Sequence, residues 1–73
     1  MTIDITTPMP GTIVSLSVAL GEHVSAGQEL AIIESMKMEV PIESESSGVI
    51  SEVVVHEGAV TNEGDIIFRI EPD

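Results

Sequence analysis

The chain of 73 residues lacks cysteine, tryptophan and tyrosine, and it contains one phenylalanine, Phe68. Without cysteine no disulfide can stabilise the fold, so a core of aliphatic side chains has to do so. A chain of this length buries only about 60% of the surface that its unfolded form exposes, which predicts one domain, residues 1–73, with an efficient core. The aliphatic residues are ten isoleucines, nine valines and three leucines. So many β-branched side chains favour strands over helices.

Basic residues are almost absent too. Lys37 and Arg69 stand against thirteen aspartates and glutamates, which gives a formal net charge of −11. Nucleic acid is excluded as a partner, because binding it requires basic groups that displace counterions and aromatic side chains on which bases stack. The acidity favours solubility and resistance to self-association, so we expect a monomer in isolation. It can also steer the chain toward partner enzymes with basic docking surfaces.

Long apolar segments are missing as well. The longest uninterrupted apolar run is residues 30–33, far shorter than a membrane span requires. The N-terminus has neither the basic region nor the apolar region of a signal peptide. These absences predict a cytoplasmic protein with no membrane partner.

The residue patterns of enzymes and metal sites do not occur. His23 and His56 fall on different predicted elements, and no cluster of cysteine, histidine and carboxylate has metal-ligand spacing. No serine, histidine and acid can be assembled into a catalytic set, and the glycines are spread over turns instead of forming a phosphate-binding loop. The sequence therefore predicts no catalytic residue and no metal site. Arg69 is expected at the surface, paired with nearby acids.

Short β-branched or alternating segments, separated by glycine and proline, predict strands throughout the chain. We expect eight, at residues 2–6, 12–18, around 24, 30–33, 38–42, 49–55, 59–60 and 66–71.

The glycines indicate an internal repeat. All six pair at an offset of 37 residues: Gly11 with Gly48, Gly21 with Gly58, and Gly27 with Gly64. Apolar positions such as Ile13 and Ile50 follow the same offset, although Val24 maps onto Thr61 and the nearest valine is Val60. Glycine marks positions of positive φ or close backbone approach. The three matched pairs therefore predict that the two halves of the chain follow the same backbone path. Two halves that cannot bury their apolar faces alone predict an all-β, flattened antiparallel barrel or sandwich around a pseudo-two-fold axis.

Between the two halves lies the segment Glu34-Ser35-Met36-Lys37-Met38-Glu39, which holds the only lysine. A two-residue hairpin loop at Met36 and Lys37 puts apolar residues on one face, through the pairs Ser35 with Met38, Ile33 with Val40 and Ala31 with Ile42. It also puts Glu34 opposite Glu39, a like-charge pair that costs stability. Such loops favour glycine, asparagine or aspartate, whereas this one has methionine and lysine. Two broken local rules at one place indicate a functional site. We expect Lys37 to project from one end of the molecule and the termini to lie near the other.

This segment resembles the attachment motif of biotinyl carrier domains, the biotin carboxyl carrier proteins of biotin-dependent carboxylases. In that family the lysine of Met-Lys-Met carries biotin as an amide on its side-chain nitrogen. The resemblance extends over nearly the whole chain, including Pro8-Met9-Pro10-Gly11. It implies a barrel-sandwich hybrid of two four-stranded sheets and covalent biotin on Lys37. It also implies that Met36 and Met38 contribute to recognition, with Glu34 and Glu39 flanking them.

The resemblance further implies the function of a biotin carboxyl carrier. A biotin protein ligase would join biotin to Lys37, a biotin carboxylase would carboxylate the biotin, and a carboxyltransferase would pass the group to an acyl-CoA or a 2-oxo acid. The residues themselves point to a non-catalytic role. Lys37 has neither the burial nor the cationic neighbour that activates a lysine as a nucleophile, so another protein must supply the activating chemistry.

Two other functions remain open. A lipoyl carrier resembles this chain in fold and would carry lipoate on Lys37, but lipoyl domains usually have aspartate before the lysine, where this chain has Met36. An unmodified barrel-sandwich interaction domain would not need Lys37 at all, and Lys37→Arg would leave it functional.

Overall fold

The computed structural model describes all residues, 1–73, and contains eight β-strands and no helix. The strands are β1 (Ile3–Thr6), β2 (Gly11–Leu16), β3 (His23–Val24), β4 (Glu29–Ser35), β5 (Met38–Glu43), β6 (Gly48–Val53), β7 (Val60–Thr61) and β8 (Ile66–Pro72). All eight correspond to predicted strands, with ends that shift by one or two residues. The largest shifts, two residues each, are at the ends of β2 and β6, which were expected at Val18 and Val55, and at the end of β4, which was expected at Ile33. Strands β2 and β6 each contain a bulge, between Ile13 and Ser15 and between Ile50 and Glu52, and pairing resumes beyond it as far as Leu16 and Val53.

The strands form two antiparallel four-stranded sheets, so the predicted fold class is confirmed. One sheet has the order β5-β4-β2-β7 and the other has the order β1-β8-β6-β3. The 37-residue offset converts the first order into the second, strand by strand: β5 to β1, β4 to β8, β2 to β6, and β7 to β3. Strands β1–β4 form one half of the chain and β5–β8 the other, and each half supplies two strands to each sheet. Neither half can therefore close a core by itself, which confirms the predicted pseudo-two-fold arrangement.

The repeat is more regular in space than in sequence. Strands β3 and β7 match at the full offset, with an exposed residue followed by a buried one in both. From the sequence, Val60 and not Thr61 was expected to be the counterpart of Val24, with the repeat shifted there by one residue. That expectation is wrong. Thr61 is 3% exposed and occupies the position of Val24, whereas Val60 is 81% exposed. The buried hydroxyl of Thr61 donates a hydrogen bond to the Gly11 carbonyl at 3.2 Å, which offsets the cost of burying it.

The core lies between the sheets and is almost entirely aliphatic, with Phe68 as its only aromatic member. It consists of Ile5, Ile13, Val18, Val24, Leu30, Ala31, Ile33, Ile42, Ile50, Ile67, Phe68 and Ile70. No buried side-chain nitrogen or oxygen lacks a hydrogen-bond partner. A short chain without disulfides needs a well-packed core for its stability, and this core provides it.

Two glycines let the chain pass close to a neighbouring strand. A Cβ at Gly11 would collide with the Glu34 carbonyl oxygen and with the side chain of Ile33, and a Cβ at Gly48 would collide with Glu71 and Ile70 in the same way. The remaining four glycines have positive φ in turns. The two members of each glycine pair found in the sequence therefore have the same physical role.

The termini lie at the end of the molecule opposite the β4–β5 hairpin, as expected. The molecule measures 35 × 17 × 17 Å. Strand β5 runs from the hairpin to Glu43, and the loop that follows it contains Ser47, whose carbonyl accepts a hydrogen bond from the Asp73 N–H at 3.1 Å. The Met1 amine lies 3.4 Å from the Glu71 carboxylate, close to the same end. The structure contains no helix that could span a membrane.

Candidate functional site

The hairpin between β4 and β5 has the predicted register. Its pairs run from Glu29 opposite Glu43 to Ser35 opposite Met38, and Met36 and Lys37 alone form the loop. The pairs that face inward contribute Ala31, Ile33 and Ile42 to the core, and Val40 is partly buried against it. The hairpin is therefore held by the core along most of its length, and its tip extends beyond it.

Met36 and Lys37 adopt a left-handed backbone conformation. Their φ angles are 53° and 67°, and they are the only residues other than glycine with positive φ. Two consecutive left-handed residues in a two-residue hairpin loop define a type I′ turn. For residues with a Cβ this conformation costs about 1–2 kcal/mol each. A turn that keeps such strain is typical of a functional site, where the packing around it enforces the geometry.

The side chains at the tip are open to solvent. Met36 is 92% exposed and Met38 is 67% exposed, so neither side chain is part of the core. Lys37 is exposed and takes part in no ion pair. A free amine at the end of a flexible side chain, between two polarizable apolar side chains, is accessible to an enzyme from several directions.

The outer face beside this tip is acidic. Glu34 lies directly opposite Glu39, and both are exposed with no cation paired to either. The other sheet differs, because Arg69 lies between Asp4 and Glu52 there and forms an ion pair with each. Hydrogen bonding and attraction from Glu52, followed by those from Asp4, hold the pKa of Arg69 above its usual range. The predicted pairing of Arg69 with nearby acids is therefore confirmed. Glu34 and Glu39, beside Lys37, have no cationic partner of this kind.

The histidines lie apart from the hairpin and from each other. The imidazole Nε2 of His23 is 3.0 Å from the Asp73 carboxylate at the end that holds the termini. The Nδ1 of His56 is 2.9 Å from the carbonyl of Glu57. No group of three or more histidine, cysteine or acidic side chains is arranged to hold a metal ion.

One surface feature was missed from the sequence. An open groove of about 500 Å³ is lined in part by Val54, Val60 and Ile66. The 37-residue offset pairs these three apolar residues with Ser17, His23 and Glu29, which are all polar. Comparing the two halves position by position, beyond their glycines, would have revealed it.

An all-β sandwich that presents an exposed lysine on a strained hairpin has the form of a covalent cofactor carrier domain. The family model described as biotin-requiring enzyme, Biotin_lipoyl, matches residues 3–70. The chain belongs to this biotin/lipoyl attachment family.

Individual relatives agree with this assignment. The chain is 43% identical over 70 residues to the biotin/lipoyl attachment protein of Bacillus subtilis, which covers 96% of this chain and 93% of that protein. It is also 43% identical to pyruvate carboxylase of Staphylococcus aureus over 63 residues, 86% of this chain and 6% of the carboxylase. The human mitochondrial propionyl-CoA carboxylase alpha chain is 38% identical over 64 residues, 88% of this chain and 9% of that one. The chain thus spans less than a tenth of these two carboxylases.

Solved structures have the same fold. A single-chain, multi-domain long-chain acyl-CoA carboxylase superposes with a TM-score of 0.93 at 24% identity, over 99% of this chain and 7% of its own. Urea carboxylase of Kluyveromyces lactis superposes with a TM-score of 0.91 at 27% identity, over 97% of this chain and 6% of its own.

Proposed function

We propose that this chain is a biotin carboxyl carrier that bears biotin on the Nζ atom of Lys37. The observation that carries the proposal is the position of that lysine, the only one in the chain, exposed at a strained two-residue turn between two exposed methionines. Membership of the biotin/lipoyl attachment family and the similarity to pyruvate and propionyl-CoA carboxylases support biotin as the attached group.

The residues at the tip fit a covalently attached cofactor. Attachment through an amide needs an accessible amine and no enclosing pocket, and Lys37 provides an exposed amine without a competing ion pair. Biotin, when attached, supplies a ring nitrogen that accepts and releases a carboxyl group. The acylation itself requires an activated biotin carboxyl group, which a biotin protein ligase supplies, because nothing near Lys37 activates its amine. Met36 and Met38 offer apolar contacts to that enzyme, and Glu34 and Glu39 attract basic groups on it.

The contribution of the domain is mechanical, and it catalyses no step. A rigid sandwich at the base of a flexible arm gives the attached group a high effective concentration at a biotin carboxylase and then at a carboxyltransferase. The acceptor would be an acyl-CoA or a 2-oxo acid. Both termini lie at the far end of the molecule, so neither stands between Lys37 and an approaching enzyme. We place this activity in the cytoplasm and expect the isolated chain, residues 1–73, to behave as one monomeric domain.

A lipoyl carrier is the second candidate, since the Bacillus subtilis relative is named for both groups. Lipoate on Lys37 would use the same exposed amine. Met36, at the position where lipoyl domains usually have aspartate, favours biotin over lipoate.

Intact-mass analysis after co-expression with a biotin protein ligase, or with a lipoyl ligase, tests the proposal. We expect one biotinyl adduct on the wild-type chain, mapped to Lys37, and none on Lys37→Arg. The double variant Lys37→Arg, Arg69→Lys is the matched control, because it keeps one lysine but moves it into strand β8. It should remain unmodified. A lipoyl adduct, no adduct with either ligase, or equal modification of the control would contradict biotin attachment at Lys37.

A further inference from the structure

Thioethers are the principal oxidisable side chains of this protein. The chain has no cysteine, tryptophan or tyrosine but four methionines. Peroxide oxidises exposed methionine to its sulfoxide, and methionine sulfoxide reductases reverse the reaction. The positions of the four methionines therefore decide where oxidation can act on this molecule.

Two of the four flank the lysine proposed to carry biotin. Met36 and Met38 are both exposed, and neither belongs to the core. Their oxidation would remove no packing from the fold, so any effect falls on what binds the tip. Met1 is 97% exposed but lies at the opposite end of the molecule, near Glu71. It is an internal control for the same chemistry at a place that no enzyme acting on Lys37 needs to touch.

The sulfoxide changes the character of the tip. A thioether is apolar and polarizable and can pack against many surfaces. A sulfoxide oxygen is a strong hydrogen-bond acceptor, and burying it without a donor carries a desolvation cost. An enzyme surface that accepts two thioethers beside Lys37 would therefore reject the oxidised forms.

We propose that Met36 and Met38 form a reversible oxidation site, and that their conversion to sulfoxides by hydrogen peroxide slows biotin attachment to Lys37. This inference rests on the proposed function. In the reaction one S–O bond forms while the O–O bond of the peroxide breaks. Each thioether loses two electrons, and the peroxide is reduced to water. A reductase that uses two thiols as its reductant removes the oxygen again as water, while the two thiols lose two electrons and form a disulfide.

The test compares each protein with itself before and after peroxide. The proteins are the wild type, the double variant Met36→Leu, Met38→Leu, and Met9→Leu, which removes the remaining, partly buried methionine. Peptide mass spectrometry locates the sulfoxides. A purified biotin protein ligase is the probe. Wild type and Met9→Leu, once oxidised at both sites, should lose about tenfold in kcat/KM for biotin attachment. Treatment with both methionine sulfoxide reductases should restore it, while the oxidised double variant keeps its own rate.

Two results would overturn the inference. One is a wild-type chain that carries both sulfoxides and is biotinylated at its former rate. The other is a double variant that loses as much rate on oxidation as the wild type does. The unfolding midpoint before and after peroxide reports damage to the fold, and we expect it to stay unchanged. If no biotin is attached before peroxide is added, the proposed function itself fails, and the oxidation site fails with it.

Discussion

At the scale of the residue, Met36 and Lys37 occupy a backbone conformation that glycine or asparagine adopts at lower cost. The φ angles of 53° and 67° hold two long side chains at the tip of a tight turn. Because the turn contains only two residues, the strands on either side leave its backbone little freedom. The strain is therefore the cost of presenting Lys37 and its neighbour from a rigid base.

This strain can be relieved at Met36 by a residue that tolerates left-handed φ. We expect Met36→Asn to raise the free energy of unfolding by about 0.5–1 kcal/mol, measured by denaturant titration, because asparagine visits this conformation readily. The same change should slow biotin attachment, because the thioether is lost. Met38→Asn is the control, since Met38 lies in strand β5 without positive φ, where asparagine is disfavoured. A Met36→Asn chain less stable than the wild type would show that the turn is not strained.

At the scale of the element, the β4–β5 hairpin carries like charges at both ends. Glu34 lies opposite Glu39 near the tip, and Glu29 lies opposite Glu43 at the base. At the base, the Glu29 carboxylate accepts a hydrogen bond from the Ser17 hydroxyl at 3.2 Å. At the tip, neither Glu34 nor Glu39 accepts a side-chain hydrogen bond. The hairpin thus keeps its acids uncompensated next to Lys37, which suits an approach by basic partner surfaces.

Removing one charge at the tip should stabilise the hairpin. We expect Glu39→Gln to raise the free energy of unfolding by about 0.2–0.5 kcal/mol at low salt, because cross-strand repulsion with Glu34 disappears. The gain should shrink at high salt, where the repulsion is already screened. Glu52→Gln is the matched control and should destabilise the fold, since it removes a partner of Arg69. Equal stability of Glu39→Gln and wild type at low salt would contradict repulsion between the two glutamates.

At the scale of the whole molecule, the two halves exchange strands between sheets, so equivalent positions experience equivalent surroundings. Gly11 lies against the Glu34 carbonyl and the Ile33 side chain in one sheet. Gly48 lies against their counterparts in the other. The glycines at turns differ from this pair, because nothing lies close to the Cβ that each lacks.

The symmetry predicts equal effects of equivalent substitutions. Gly11→Ala and Gly48→Ala should each lower the free energy of unfolding by roughly 2–4 kcal/mol, because each forces a Cβ into a neighbouring strand. Gly21→Ala and Gly58→Ala should cost about 1 kcal/mol each, from positive φ alone. Thermal or denaturant unfolding of the four variants measures this. A large difference within either pair would show that the halves are not energetically equivalent.

Much of the candidate site could be predicted from local pattern. The alternation on either side of Met36 and Lys37 allows one register that buries Ala31, Ile33 and Ile42 together, and a one-residue slip would expose all three. The conflict between a two-residue loop and its residue types is likewise visible without coordinates. The bulges within β2 and β6 could not be predicted, because they depend on how these strands pair with other strands of their sheets.

The sequence by itself determined the repeat, the all-β class and the hairpin that presents Lys37, because glycine sterics and the two-residue period of strands act over short stretches of chain. Only the tertiary structure decided that Thr61 is buried while Val60 is exposed. That choice depends on the Gly11 carbonyl, which the first half of the chain supplies to the second and which satisfies the threonine hydroxyl. Contacts between residues far apart in sequence decide which side chains are buried where the two halves meet. No local pattern encodes those contacts.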